Sequence, residues 1–324
     1  MFEARENGGT VSGEAVIRLC RDGICILPTD EHARWIPLCF ISGMEKGNFS
    51  VTLPLLTGER YTLSKMGYET EPFVGRVTEA LRSLRERSVA QLRELDGALG
   101  SMQAATAAKL MPEGVNAAVG KLSAAAPTLL AELEKRIKES RISGSYPVLK
   151  RLCGDERLFL GMKAPDAEAD VPVPEIPEPT GEAEETVPEP PKPLLWLIGV
   201  GRTGGIAAVE LALPGDEAAA TYLYRVAGDP ETFALILNRG MEATNFRREI
   251  FTLTDEELAK PGHLADAMVI RRTPALQVMR ECFAGRVIHS GKWQQEMDKY
   301  LVAEPACGGT PTGTKFCGEC GTKF

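Results

Sequence analysis

Between residues 164 and 193 the chain turns into prolines interleaved with acidic residues: Pro165, Pro172, Pro174, Pro177, Pro179, Pro188, Pro190, Pro191 and Pro193 alternate with Asp and Glu. Such a stretch buries too little apolar surface to offset its ordering entropy, which predicts a disordered, extended segment outside any core. As a coil of about thirty residues it reaches on the order of 30 Å. It either separates two domains or forms a long loop inside one, and its flanks favour the loop. Arg157-Leu158-Phe159-Leu160-Gly161-Met162 before it and Leu194 to Val200 after it are short apolar strands. They are expected to pair with each other across the tract.

Upstream, residues 11 to 65 read as a run of strands. Glu14 to Cys20 and Ile24 to Leu27 flank Asp22-Gly23, a type I′ hairpin signal in which both central residues take positive φ. Phe49 to Leu56 and Arg60 to Leu63 flank Thr57-Gly58-Glu59, and Trp35 to Ile41 supplies a strand between the hairpins. Thr70-Glu71-Pro72 then opens a helix, with Thr70 as its cap and the proline in the first turn, where a missing N–H costs nothing. Phe73, Val77, Leu81 and Leu84 share one face at helical spacing. Hairpins closed by one amphipathic helix follow the order of a pleckstrin-homology-like or GRAM-like domain, which residues 1–88 resemble. The resemblance implies a bent sheet whose open end is plugged by the helix, on a fold that serves lipid, peptide and protein binding alike.

Residues 89–153 are helical in composition, with stripes Leu92, Leu95, Leu99, Met102 and Leu129, Leu133, Ile137 that predict packing faces of a helical hairpin. Beyond the acidic tract the first pattern recurs. A shift of 160 residues lays Thr62-Leu63 on Tyr222-Leu223, Glu71 on Glu231, Phe73 on Phe233 and Leu81 on Met241. Asp229-Pro230 caps the second helix. Residues 154–250 are therefore read as a second pleckstrin-homology-like domain, split by the tract at 164–193. Residues 251–302 are read as helical: Thr254 and Glu257 form a capping box, Thr273-Pro274 opens a helix burying Leu276 and Met279, and a final helix spans Trp293 to Leu301.

The tail at 303–324 carries the sharpest chemical signal. Cys317-Gly318-Glu319-Cys320-Gly321 is a CxxCG turn whose glycine lets both thiolates face one ion. Cys307-Gly308 matches the end of a second such turn, with Glu304 where its first cysteine would stand. The segment resembles the short zinc ribbons that end many bacterial proteins, including the Lys315-Phe316 that precedes the second CxxC. Cys307, Cys317 and Cys320 are the candidate ligands for zinc. Glu304, water or another chain would complete the tetrahedron; the alternative is a ribbon that no longer binds metal. The other five cysteines are scattered among apolar neighbours and read as reduced core residues.

Other chemistry is sparse. Gly199-Val200-Gly201-Arg202-Thr203-Gly204 follows a strand and satisfies GxGxxG, which supports an alternative as a nicotinamide-dinucleotide-binding oxidoreductase. The following segment is short for a helix, stops at Pro214-Gly215, and has Arg225 near where an acidic ribose partner is wanted, so a glycine-rich hairpin is the preferred reading. His32, His263 and His289 fall in no catalytic pattern, and His289 is read as structural. A net charge of −8 opposes general nucleic-acid affinity, and the basic stretch Arg76 to Arg93 is interleaved with glutamates. Recruitment to nucleic acid through the ribbon, with only Lys315 and Lys323, is a second alternative. Membrane contact is peripheral at most, since the first domain's hairpin tips carry little net charge. The first residues lack a cationic start and an apolar stretch, so a cytoplasmic location is expected. The sequence thus predicts an α+β protein with two antiparallel pleckstrin-homology-like sheets, helical insertions and a zinc ribbon. Its expected role is that of a non-catalytic adaptor or scaffold whose partners are other proteins.

Overall fold

The computed structural model describes residues 1–301 apart from 7–8, 30–31, 165–192, 204 and 213–219. The fold is α+β with antiparallel sheets. The chain opens with a strand not expected from the sequence, β1 (Phe2–Glu6), followed by β2 (Gly9–Gly13), β3 (Ala15–Leu19), β4 (Gly23–Pro28), β5 (Arg34–Pro37), β6 (Glu45–Gly47), β7 (Ser50–Pro54) and β8 (Arg60–Ser64). They form a five-stranded sheet in the order β2-β1-β8-β7-β6 and a three-stranded sheet β3-β4-β5. Burial alternates along β7 and β8, so Val51, Leu53, Tyr61 and Leu63 face inward while Thr52 and Thr62 face out and hydrogen-bond to each other. Ile24, Ile26 and Ile36 of the smaller sheet meet them in one core with Phe2 and Ala4 of β1.

Three local expectations change. The strand expected from Trp35 to Ile41 ends at Pro37 and gives way to a 3-10 turn over Leu38–Phe40. The first hairpin turns on Arg21-Asp22, closed by Cys20 N–H donating to the Gly23 carbonyl at 2.8 Å, and neither Asp22 nor Gly23 has positive φ. Gly23 belongs to the strand, where a Cβ would collide with the Trp35 ring on neighbouring β5. Thr70 is the first residue of α1 (Thr70–Leu95) rather than its cap, and its hydroxyl donates to the Gly67 carbonyl.

α1 is a single helix of 26 residues, so the expected boundary at residue 88 falls inside it. Phe73, Val77 and Leu84 pack on the first core, and Leu92, farther along the same helix, enters a second one. Its basic face is solvated and ion-paired, Arg82 reaching both Glu79 and Glu86.

The second body contains α2 (Ser101–Leu110), β9 (Ala117–Ala118), α3 (Val119–Ala125), α4 (Pro127–Lys138) and α5 (Ser145–Cys153). Then come β10 (Leu158–Lys163), β11 (Leu194–Val200), β12 (Ile206–Ala212), β13 (Ala220–Arg225) and α6 (Pro230–Ala243). The chain continues through α7 (Glu249–Thr252), α8 (Asp255–Leu258), α9 (Leu264–Arg272), α10 (Pro274–Cys282), β14 (Phe283–Ile288) and α11 (Trp293–Leu301). β10 and β11 pair antiparallel from Leu158↔Gly199 to Lys163↔Leu194, as expected of the strands flanking the acidic tract. The tract itself, 165–192, lies outside the described residues.

The sheet runs β14-β13-β12-β11-β10-β9 and is covered on both faces. Leu158, Leu160, Leu195, Leu197, Ala208 and Leu223 pack under α2 to α5 and α11, while Phe159, Trp196, Ile198, Val209 and Tyr224 pack under α6, α7, α9 and α10. This differs from the expected second domain closed by one helix: continuous burial along β10 to β13 requires a helical layer on each side. The helical segment 89–153 is accordingly one of those layers and not a separate unit. Within it Leu129, Leu133 and Ile137 are buried as predicted, whereas Met102 is exposed because the chain breaks between α1 and α2. The region 251–302, predicted helical, also contributes the edge strand β14. The Thr254–Glu257 capping box and the Asp229 cap both form. Among the described residues no helix is long and apolar enough to cross a membrane.

Candidate functional site

The two bodies meet along a seam where α6 faces the first domain. Arg239 on α6 is 2% exposed. Its Nη2 donates to the Trp35 carbonyl and its Nη1 to Glu242 Oε2, both at 2.7 Å, and its guanidinium lies 5.8 Å from the centre of the Phe40 ring. One face of the guanidinium is therefore used by the first domain and one edge by its own helix. On the same side Asn116 N–H donates to Asn238 Oδ1 at 2.7 Å, and Asn238 Nδ2 donates to the Gly114 carbonyl at 2.9 Å. These bonds satisfy backbone groups that would otherwise be stranded where the α2–β9 connection meets α6.

Glu59, at the end of the β7–β8 turn, lies near this seam and is 5% exposed. The turn forms where Thr57-Gly58-Glu59 predicted it, with Gly58 at φ +92. Thr57 Oγ1 donates to Glu59 Oε2, while Glu59 Oε1 and Arg239 Nε are buried with no hydrogen-bond partner. Burial pushes the Glu59 carboxyl above its usual range, and the Arg239 charge pulls against that shift. Nearby, Arg34 is 6% exposed and pairs with Glu6 at 3.2 Å while lying over the Phe2 ring. Along the seam opens a cleft of about 460 Å³. Its first wall carries Arg5, Thr10, Thr57 and Glu59; its second, from α6 and α10, carries Ile236, Pro274, Ala275 and Val278.

A separate polar cluster sits inside the sandwich beneath α11. Glu210 on β12 is 1% exposed and Thr221 on β13 is fully buried. Thr221 Oγ1 donates to Glu210 Oε1, His289 Nε2 lies 3.0 Å from the same oxygen, and Trp293 Nε1 donates to Thr221 Oγ1 at 2.9 Å. Thr221 Oγ1 also lies 3.1 Å from His289 Nε2, so Glu210, Thr221, His289 and Trp293 form one hydrogen-bonded network. The network fastens α11 to the sheet, with the His289 and Trp293 rings 4.4 Å apart, centre to centre. His289 follows the end of β14 and its ring reaches the buried Glu210 carboxylate. Its partner Glu210, a single acid in the apolar run Ala207-Ala208-Val209-Glu210-Leu211, was not singled out; that interruption was the available signal.

The glycine loop is a hairpin. Gly201 N–H donates to the Ile206 carbonyl at 2.9 Å, and β11 and β12 pair antiparallel from Val200↔Ala207 onward. No helix begins after the glycines, so the strand-to-helix turn that would hold a pyrophosphate is not formed here. Packing accounts for two of them instead: a Cβ on Gly199 would lie 2.8 Å from Cys153 Sγ, and one on Gly201 2.7 Å from the Leu301 carbonyl oxygen. Burial pushes the Cys153 thiol up to about 12, so it stays protonated and inert. Contrary to the core reading of the scattered cysteines, Cys20 is exposed and Cys25, Cys39 and Cys282 are only part-buried.

Among the described residues no group of His, Cys, Asp and Glu is arranged to hold a metal ion. The candidate zinc ligands Cys307, Cys317 and Cys320, with Glu304, lie outside the described residues. In comparisons with known proteins the chain matches no family model, no curated protein and no solved structure.

Proposed function

We propose that this chain is a non-catalytic, cytoplasmic protein-binding adaptor. In this reading its first domain, of pleckstrin-homology-like type, takes an extended segment of another protein as an added strand on β3. The observation that carries the reading is the edge of the three-stranded sheet. Among the described strands β3 pairs only with β4. The Cys20–Gly23 bond sets the phase of the ladder, so the N–H groups of Ile17 and Leu19 point away from β4. Val16 beside them is 59% exposed, and Arg18 is exposed too. An unpaired edge flanked by an exposed apolar side chain is a template for strand addition. The closure of both N-terminal sheets over one core by Phe73, Val77 and Leu84 supports the pleckstrin-homology-like assignment.

The test is a photocrosslinking amino acid at position 16 in the native cell. A discrete protein adduct is expected that disappears in Ile17→Pro, which removes an outward N–H while leaving the β4 side paired. No adduct, or one insensitive to the proline, counts against the reading. The tail enters the proposal as a zinc ribbon held by Cys307, Cys317 and Cys320. Such a small unit draws its folding free energy from the ion. Near one zinc per chain, lost in Cys317→Ser/Cys320→Ser, is the expected result of metal analysis, and no zinc in either protein removes the ribbon from the proposal.

A further inference from the structure

Burial falls off across the three-stranded sheet. On its inner face Ile36 of β5 and Ile24 and Ile26 of β4 are fully buried. Ile17 and Leu19 of β3, which pair with Ile26 and Ile24, face the same core but are only half-buried. The core therefore thins at β3, where two large aliphatic side chains keep part of their surface in water. On the outer face β3 presents Val16 and Arg18, both exposed, because the period of two turns them away from Ile17 and Leu19. Val16 stands beside Leu27 and Arg18 beside Cys25.

The charges on that outer face are uneven. Arg18 has no carboxylate partner among the described residues. Arg21 in the adjoining turn is exposed as well, and the acid of that turn, Asp22, is taken by Arg87 at 2.6 Å. Burial raises the Cys25 thiol and Cys20 adds to the rise, while Arg18 and Arg272, the last residue of α9, oppose it. Two cations therefore act on this part of the sheet. Glu14 has the same parity at the other end of the row, four residues from Arg18 and so about 13 Å away along the chain. A segment laid beside β3 alternates in step with it: residues opposite Ile17 and Leu19 turn inward, and the one between them turns outward beside Arg18. We propose that the segment added to β3 in the reading above carries the pattern apolar, acidic, apolar at these three positions. The apolar pair completes the cover of Ile17 and Leu19, and the carboxylate between them takes the Arg18 guanidinium. A basic residue in the middle position would meet Arg18 and Arg21 with like charge.

The test is fluorescence anisotropy of the full chain with three labelled, end-blocked peptides. They are Ser-Thr-Val-Glu-Val-Thr-Ser, its central-lysine counterpart Ser-Thr-Val-Lys-Val-Thr-Ser, and Ser-Thr-Ser-Glu-Ser-Thr-Ser, which lacks the apolar pair. The first is expected to bind about fivefold or more tighter than either of the others. Arg18→Glu should reverse the order of the glutamate and lysine peptides, and Ile17→Pro should weaken binding of the first, each with an unchanged far-ultraviolet spectrum. If Ile17→Pro disturbs folding, Arg18→Glu, at an exposed position, keeps the test valid. Failure of the first peptide to bind, equal binding of either comparison peptide, or an order that Arg18→Glu leaves unchanged would overturn the proposal. The photocrosslink at position 16 separates this from failure of the β3 reading itself. An adduct lost in Ile17→Pro, beside peptides that do not discriminate, keeps strand addition and removes the pattern.

Discussion

The two main sheets solve the same problem in opposite ways. In the N-terminal domain inward and outward residues alternate, as in Tyr61-Thr62-Leu63, because one face packs on a core and the other meets solvent. In the sandwich, Leu195 through Val200 are buried without interruption because helices cover both faces. The difference divides the labour of the molecule. The sandwich sheet is enclosed by its own helices, whereas the N-terminal sheets keep polar faces and, at β3, a strand paired on one side only among the described strands. The seam between the bodies is the third environment, and there charged side chains are buried.

The sharpest way to break this comparison is to place a charge on each parity of a strand. Leu197→Asp and Ile198→Asp are both expected to abolish folding, since each strands a carboxylate in a core and costs more than about 4 kcal/mol. In β8 only one parity should respond: Leu63→Asp fails, while Thr62→Asp costs about 1 kcal/mol, part of it the lost bond to Thr52. Urea melts of the four variants would decide it, and tolerance of Ile198→Asp would mean that the second helical layer does not seal the sheet.

Next in size is the seam. Arg239→Ala leaves Glu242 and the Trp35 carbonyl without their donor, and about 3 kcal/mol should be lost. Hydrogen exchange at Trp35–Phe40 should rise more than exchange in β11. Equal rises in both would make the two bodies one cooperative unit.

Glu59 predicts a smaller effect of opposite sign. Burial raises its carboxyl above the ordinary 4.5, so between the unfolded and folded values the native state holds the extra proton and stability falls as pH rises. Glu59→Gln removes that loss. Its Tm should exceed that of the unmodified chain at pH 7 by about 2 °C, with the difference closing below pH 4.5. A variant less stable at pH 7 would mean that the charged carboxylate is favourably held. Smallest is Val16→Lys on the β3 edge, expected within about 0.5 kcal/mol of the parent in the same melts, because the residue touches solvent and not core. A larger loss would show that this edge is part of the core.

Much of the local architecture was legible in sequence. The pairing of the strands around the acidic tract followed from the two apolar runs that flank it, and the caps at Asp229 and Thr254 followed from side chains that bond amides three residues on. Helical stripes told which residues of α4 and α10 are buried. What misled was the step from element to layer. The shared order of strand and helix around Leu63–Phe73 and Leu223–Phe233 is real, yet β8 lies beside β1 and β7 while β13 lies beside β12 and β14. The apolar continuity of β10 and β11 already spoke against a sheet with one solvated face. The candidate sites were less legible still, because their groups come from distant parts of the chain: Arg239 and Trp35 are separated by 204 residues and Glu210 and His289 by 79.

Taken alone, the sequence determined most of the helices, which hairpins close and which faces are apolar, but not the strands β1 and β14, since the former depend on torsional preference and side-chain periodicity within a few residues and the latter on distant pairing partners. The tertiary structure alone decided that both faces of the second sheet are covered, that α1 joins two cores, and that Arg239, Glu59 and Glu210 are buried. Whether a charged group is solvated or enclosed depends on what packs over it, and the packing elements are far away along the chain.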